Sequence, residues 1–245
     1  MTIACPDDEK YVPAAFGDAP SRLWVPHVEL VDADSDFVTQ VPDGETTHEG
    51  WTLTARTVGA AQVRVLSDAS TAGLVRPMLD SARVVDTTPE GCDVRSPAQA
   101  TDHPRPPAFD LSELATVDRI AVCQYSRLPL DRAGLVAARS VDGAAAQSLL
   151  EAIKQAPAGG GPDTPANCAE DDFGDEVMVL RLAVPDAESH DVYVGYSTCR
   201  GNGFDDGTTV RKLTRDSCLP LWEEPVVLTG GQFEVFQLCK ENMDK

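Results

Sequence analysis

Seven cysteines, Cys5, Cys92, Cys123, Cys168, Cys199, Cys218 and Cys239, are scattered through the chain with no CxxC pair, and no histidine lies three to five residues from another. Zinc sites bring their ligands in close sequence pairs, so this spacing gives such a site no support. In a chain with eighteen Gly and eighteen Pro, widely spaced cysteines read instead as disulfides formed in an oxidising compartment. A fold stapled in this way can hold much irregular backbone and few long helices. Local geometry leads to the pairings 5–92, 168–199 and 218–239. Cys168 closes a loop before a hairpin and Cys199 ends its second strand, which sets the two side by side. A Cys218–Cys239 bond would staple the tail, and a Cys5–Cys92 bond the N-terminus. The odd count leaves one cysteine over, as a buried thiol, an intermolecular thiol or a lipid-modified residue. Cys123, in the middle of the apolar run IAVCQY, is expected to be that residue and to be a buried, inert thiol. It is also the one able to displace Cys5 or Cys92.

The chain has 245 residues, enough for one large domain or two small ones, and carries 40 acidic against 20 basic side chains for a net charge of −20. Phosphate recognition needs Lys/Arg clusters, and the densest basic spot is Arg211-Lys212, so nucleic acid and anionic lipid are excluded as partners. The acidity reads first as solubility and second as attraction for a cation or a basic partner. No transmembrane run is present. The opening MTIACPDDEK lacks an apolar leader core; since the cysteines point to export, the expectation is that a leader has been cut away and Met1 added. A lipid anchor removed with the leader fits the same reading. The expected location is extracellular or anchored at the cell surface.

Along the chain, residues 1–50 are irregular, with WVPHVELV as an edge strand because Pro26 fits only an edge or a strand start. Residues 52–67 read as a strand or hairpin, with Val63 and Val65 alternating against Gln62 and Arg64. Residues 68–82 read as a helix with Leu74, Val75, Met78 and Leu79 as its apolar stripe, kinked or shortened by Pro77. The Pro-rich stretch 96–116 marks a linker. Then come strands at 117–126 and 134–141 and a helix over 142–156. Asp142 is its N-cap, and Ala146, Leu149, Leu150 and Ile153 share one face. A Gly/Pro loop follows, then a hairpin from 177–184 and 190–199, a short helix beginning near Val210 capped by Thr208 or Thr209, and a tail hairpin turning at Gly230-Gly231. The leucine-to-cysteine spacings Leu74–Cys92 and Leu149–Cys168 are 18 and 19 residues. They hint at a repeat. The fold class is therefore α+β: two small similar modules, residues 1–95 and 117–245, antiparallel sheets each packed by a short helix and stapled by disulfides, with 96–116 between them.

From residue 120 on, the order of VCQY, a strand leading into an Ala-rich helix, a Gly/Pro loop ending at Cys168, a hairpin ending in CRGNG, and then VRKLT resembles a family of exported, often lipid-anchored actinobacterial proteins of unknown function. The resemblance covers about half the chain. It implies export and lends no catalytic residues.

Catalytic chemistry has little to stand on. There is no GxSxG elbow, no SxxK and no phosphate loop, and His103 and His190 read as solvated rather than as bases. No cofactor is expected. The reading favours a binding module for an envelope or protein ligand over an enzyme, with an envelope hydrolase as the alternative. A second alternative is calcium-dependent binding. In DADSDFVTQVPD, Asp32, Asp34, Asp36 and Asp43 stand at positions one, three, five and twelve of an EF-hand-like loop. Phe37 replaces the glycine that the sharp turn needs. The stretch STCRGNGFDDGTTVRKLT reads as a structural turn stapled by Cys199, and beyond that as an exposed recognition loop carrying Arg200, Asn202, Phe204, Asp205 and Asp206. Calorimetric titration is expected to show no calcium binding tighter than millimolar. Micromolar affinity would make the 32–43 loop a site.

Overall fold

The computed structural model describes residues 20–33, 39, 41–100, 102–127, 134–164, 166, 174–228 and 233–240. The chain divides into two compact units, Met1–Val84 and Val85–Lys245. The class is α+β, built on two antiparallel sheets with few, short helices.

In the first unit, β1 (His27–Asp32), β2 (Gly44–His48), β3 (Trp51–Val58) and β4 (Ala61–Ser67) form a sheet in the order β1-β4-β3-β2. Pro26 immediately precedes β1, which stands at the end of the sheet among the described strands, as a proline at an edge or a strand start allows. The helix α1 (Ala72–Ser81) follows β4 and packs Val75 and Leu79 onto Val63 and Val65. Its interior Pro77 is tolerated six residues in. The opposite sheet face is covered as well, by Trp24 against Leu53 and Leu66, with Val41 and Trp51 beside them. Gln62 and Arg64 are therefore buried, not solvent-facing as the alternation implied. Arg64 is only 2% exposed; its Nε donates to Gln62 Oε1 at 2.6 Å and its NH2 to the Thr39 carbonyl at 2.8 Å.

In the second unit, β5 (Arg119–Ser126), β6 (Gly134–Asp142), β7 (Glu176–Ala183), β8 (His190–Gly195), β9 (Gly203–Asp205) and β10 (Val210–Arg211) run in the order β10-β9-β8-β7-β5-β6. The central strands β5 and β7 are apolar on both faces, so the sheet needs two covers. One face packs on α2 (Gly143–Gln155), which buries Ala146, Leu149, Leu150 and Ile153 as its periodicity demands. Asp142 sits at the N-cap position without a capping bond, because its carboxylate instead accepts from Ser140 Oγ at 2.7 Å. The other face carries Ala121, Cys123, Tyr125, Val177, Val179 and Tyr193, and its cover is the irregular stretch with Cys92 and Ala98.

That cover corrects three expectations. Cys123 is not a free thiol: it is bonded to Cys92, and Cys92 is accordingly not paired with Cys5. The reason is topological, since the odd-numbered side chains of β5 face the stretch that contains Cys92. Residues 96–116 are not a linker either. A 3₁₀ turn at Pro97–Gln99, closed by a Ser96–Gln99 capping box, buries Ala98, and another at Leu111–Glu113 buries Leu111. Finally, Cys92 belongs to the second unit, so the Leu-to-Cys spacing has no structural repeat behind it. What the two units share is an antiparallel hairpin followed at once by a helix.

The end of the chain also differs from the expected hairpin. Residues Phe233–Cys239 form a helix, α4, with Val235 and Cys239 buried four residues apart. Cys239 is bonded to Cys218 in the short helix α3 (Arg215–Cys218), the pair expected for stapling the tail. The helix starts after Thr214, not Thr208 or Thr209; Thr214 and Ser217 form a reciprocal capping box, while Val210 is spent on pairing with Asp205 in the sheet. Cys199 is also in a disulfide; Cys168, the partner expected for it, lies outside the described residues. Closing a 31-residue loop by Cys92–Cys123 is expected to contribute about 3–4 kcal/mol. Denaturant unfolding of the double variant Cys92→Ala/Cys123→Ala should show a loss of that size.

Candidate functional site

The stretch 197–214 is a structural knot. Asp206 is 1% exposed and receives the Thr208 and Thr209 N–H groups at 2.9 and 2.6 Å, the Leu111 N–H at 3.3 Å, and the Arg211 guanidinium at 2.7 Å. Burial alone would push its carboxyl up; the Thr209 N–H, Arg211 and the other donors together hold it below the ordinary value. Asn202 is fully buried and donates to the Pro162 and Thr198 carbonyls at 2.8 and 2.7 Å. Asp163 accepts from the Gly201 and Asn202 N–H groups at 3.1 Å each. Residues 157–161 run beside this knot and bond the backbone of Asn202, Val210, Lys212 and Leu213. Gly207 has a φ of +81°, and a Cβ there would lie 2.6 Å from Ala108 Cα, so the turn admits only glycine.

The recognition loop is corrected by these contacts. Asn202, Phe204 and Asp206 are at most 1% exposed, and Asp205 is held by Arg105 through two bonds of 2.9 and 2.6 Å. Only Arg200 of the five is exposed. The calcium loop fares no better where it is described. The Asp43 carboxylate accepts from the Thr57 N–H at 3.0 Å, the Thr57 hydroxyl at 2.8 Å and Gln62 Nε2 at 3.1 Å, bonds that pin the chain ahead of β2. Asp32 closes β1, and Asp34 and Asp36 lie outside the described residues. Among the described residues no three His, Cys, Asp or Glu side chains converge as a metal site would need.

Other polar clusters also work as fasteners. Arg181 donates to Asp191 at 3.0 Å, to Asp93 at 2.8 Å and to the Gly91 carbonyl at 3.0 Å, clamping the Cys92 stretch to the sheet. Its hydrogen bond lowers the Asp93 carboxyl below its usual range. Tyr196 donates to Glu176 at 2.8 Å; burial, then the Glu176 charge, raises its phenol far above the ordinary value. His190 is half-buried and stacks on Phe109 with ring centres 4.6 Å apart. Two grooves lie on the second unit, one of about 730 Å³ along α2 and one of about 590 Å³ beside Trp222, the latter lined in part by the buried Val226, Leu228 and Cys239.

Exposed apolar side chains gather beside β1 on the first unit; on the second unit Val136, Val227 and Phe233 are also exposed. The side chains of β1 alternate: His27, Glu29 and Val31 turn inward, whereas Val28 and Leu30 stand 50% and 72% exposed on the face that carries α1. The α1 side chains Ala72, Arg76 and Asp80 line the flank beside β2 and β3. By helical geometry Leu74 and Met78 occupy the other flank, toward β1, and they are 55% and 41% exposed. Four large apolar side chains thus lie beside β1 in an acidic protein. The alternation in HVELV carries this signal, but sequence alone could not tell which alternate set is covered.

No family model, curated protein or solved structure matches the chain.

The knot generates a pH prediction. A carboxyl held low in the folded state contributes stability above its unfolded value of about 4, and that stability is lost as pH falls through the folded value. Asp206 and Asp93 both have this sign, so urea midpoints should fall as pH drops below about 4. Asp206→Asn leaves Arg211 buried and unpaired, and is expected to cost about 3–5 kcal/mol at neutral pH and to flatten the acid dependence.

Proposed function

We propose that the protein is an exported, disulfide-stapled binding module whose ligand is a protein or wall component of the cell envelope. The observation that carries the binding half is the apolar shelf of Val28, Leu30, Leu74 and Met78, because exposed apolar surface grouped at one place marks contact with a partner. Export is supported by Cys92, Cys123, Cys218 and Cys239, all at most 1% exposed and all bonded, since such cross-links form and persist in oxidising compartments. The resemblance of residues 120–214 to exported, often lipid-anchored proteins points the same way. No helix among the described residues is long and apolar enough to cross a membrane. The acidic surface suits a basic partner and repels anionic polymers.

Co-sedimentation of the purified protein with isolated cell envelope tests this reading. The protein is expected in the pellet, with no soluble fragments released from the envelope. Fragment release would establish the hydrolase instead, and failure to pellet would remove the envelope ligand.

A further inference from the structure

We infer that the Asn202-Gly203 peptide is a spontaneous modification site that folding holds shut: the unfolded chain converts Asn202 to aspartate and isoaspartate, and the converted chain cannot rebuild the knot. The site stands whatever the module binds.

Three observations carry it. First, Asn202-Gly203 is the one Asn-Gly pair in the sequence; the other asparagines, Asn167 and Asn242, precede Cys and Met. Glycine has no Cβ to screen its amide nitrogen or to limit its backbone angles, so in an unfolded chain that nitrogen reaches the neighbouring carboxamide. The Gly203 nitrogen attacks Asn202 Cγ and an N–C bond forms. The Cγ–Nδ2 bond breaks, and the side-chain nitrogen leaves as ammonia with the proton that Gly203 gives up. Solvent water then opens the cyclic imide at either carbonyl. One opening leaves aspartate; the other leaves isoaspartate, with the main chain running through the former side chain. Second, the folded knot denies this step its freedom. Asn202 is fully buried, and its Nδ2 lies 2.8 Å from the Pro162 carbonyl, 2.7 Å from the Thr198 carbonyl and 3.1 Å from Asp163 Oδ1. Its backbone N–H donates to Asp163 at 3.1 Å, and β9 holds Gly203 opposite Gly195. The leaving nitrogen is thus pinned, and the main chain turns the Gly203 nitrogen onto Cγ only when the knot opens. Third, neither product fits. All three groups around Nδ2 are acceptors, so the oxygen that replaces it would face two carbonyls and the Asp163 carboxylate in a buried site. Isoaspartate would lengthen the main chain just ahead of Gly203, where φ is +140° and a Cβ would already lie 2.5 Å from the Arg211 carbonyl oxygen. Unfolding that lasts long enough for the reaction therefore becomes irreversible.

The test holds the full chain, disulfides intact, at mildly alkaline pH in native buffer and in guanidinium chloride. The tryptic peptide Gly201–Arg211 is then read by mass spectrometry for imide, aspartate and isoaspartate. In guanidinium, Asn202 should be modified faster than Asn167 or Asn242. In native buffer its reaction should be at least about a hundredfold slower, because attack follows the population of the open form. Gly203→Ala, compared in guanidinium where its own folding does not matter, should slow the reaction at least about tenfold. After return to native buffer, refolded chains should carry intact Asn202, and chains that fail to refold should be enriched in the modified form. Equal rates in the two solvents would overturn the folding gate, and an unchanged rate in Gly203→Ala would overturn the Asn-Gly route. Equal modification of refolded and unrefolded chains would overturn the loss of folding, as would an unchanged urea midpoint for Asn202→Asp.

Discussion

A six-stranded sheet whose central strands are apolar on both sides has to be covered twice, and among the described residues of the second unit only α2 is a helix longer than seven residues. Everything else in the second unit follows from the missing second cover. Irregular backbone takes its place, and irregular backbone has no ladder of its own to hold it down. The Cys92–Cys123 bond ties it through the middle of β5. Arg181 ties it from β7, and the Tyr125 hydroxyl reaches the Asp93 carbonyl at 2.7 Å. The disulfide is thus less a restraint on a loose terminus than the fixing point of one of two layers.

The same economy governs the turns. Where the 157–164 and 198–214 segments meet, backbone groups that a longer strand or helix would have paired are satisfied by Asp206, Asn202 and Asp163. Such buried polar clusters are stable only when every member is satisfied, and Asp206 comes close to that limit with four donors on two oxygens. Asn202, Asp205 and Asp206 in GNGFDDG therefore act through their side-chain bonds, and the glycines through their freedom of backbone angle.

How much of this was legible in the sequence depended on range. Periodicity exposed α1, α2 and the strands at 119–126 and 176–183, because each is decided by which neighbours in sequence share a face. It failed for Gln62 and Arg64, where the polar alternation was real but the backbone at Thr39 and Val41 receives both side chains. It failed for FEVFQLC, too short for its apolar spacing to separate strand from helix, where the bond to Cys218 and the burial of Val235 decide. The Pro-rich 96–116 looked like a linker because prolines interrupt periodicity; nothing local shows that Leu111 reaches the core. Of the site, the alternation over β1 was visible, whereas the exposure of Val28 and Leu30 depends on where α1 comes to rest.

Gln124 carries one more meaning. Its side-chain amide donates to the Val227 carbonyl at 2.9 Å and accepts from the Val227 N–H at 3.4 Å, while a further bond of 2.9 Å joins it to Tyr196. A side chain here imitates a rung of backbone. Strand pairing is largely indifferent to which residue stands at a position, since the peptide group is the same everywhere. Where the Val227 segment docks, that indifference is gone: part of its address is written in one amide group, and its placement is a matter of residue identity as well as backbone shape.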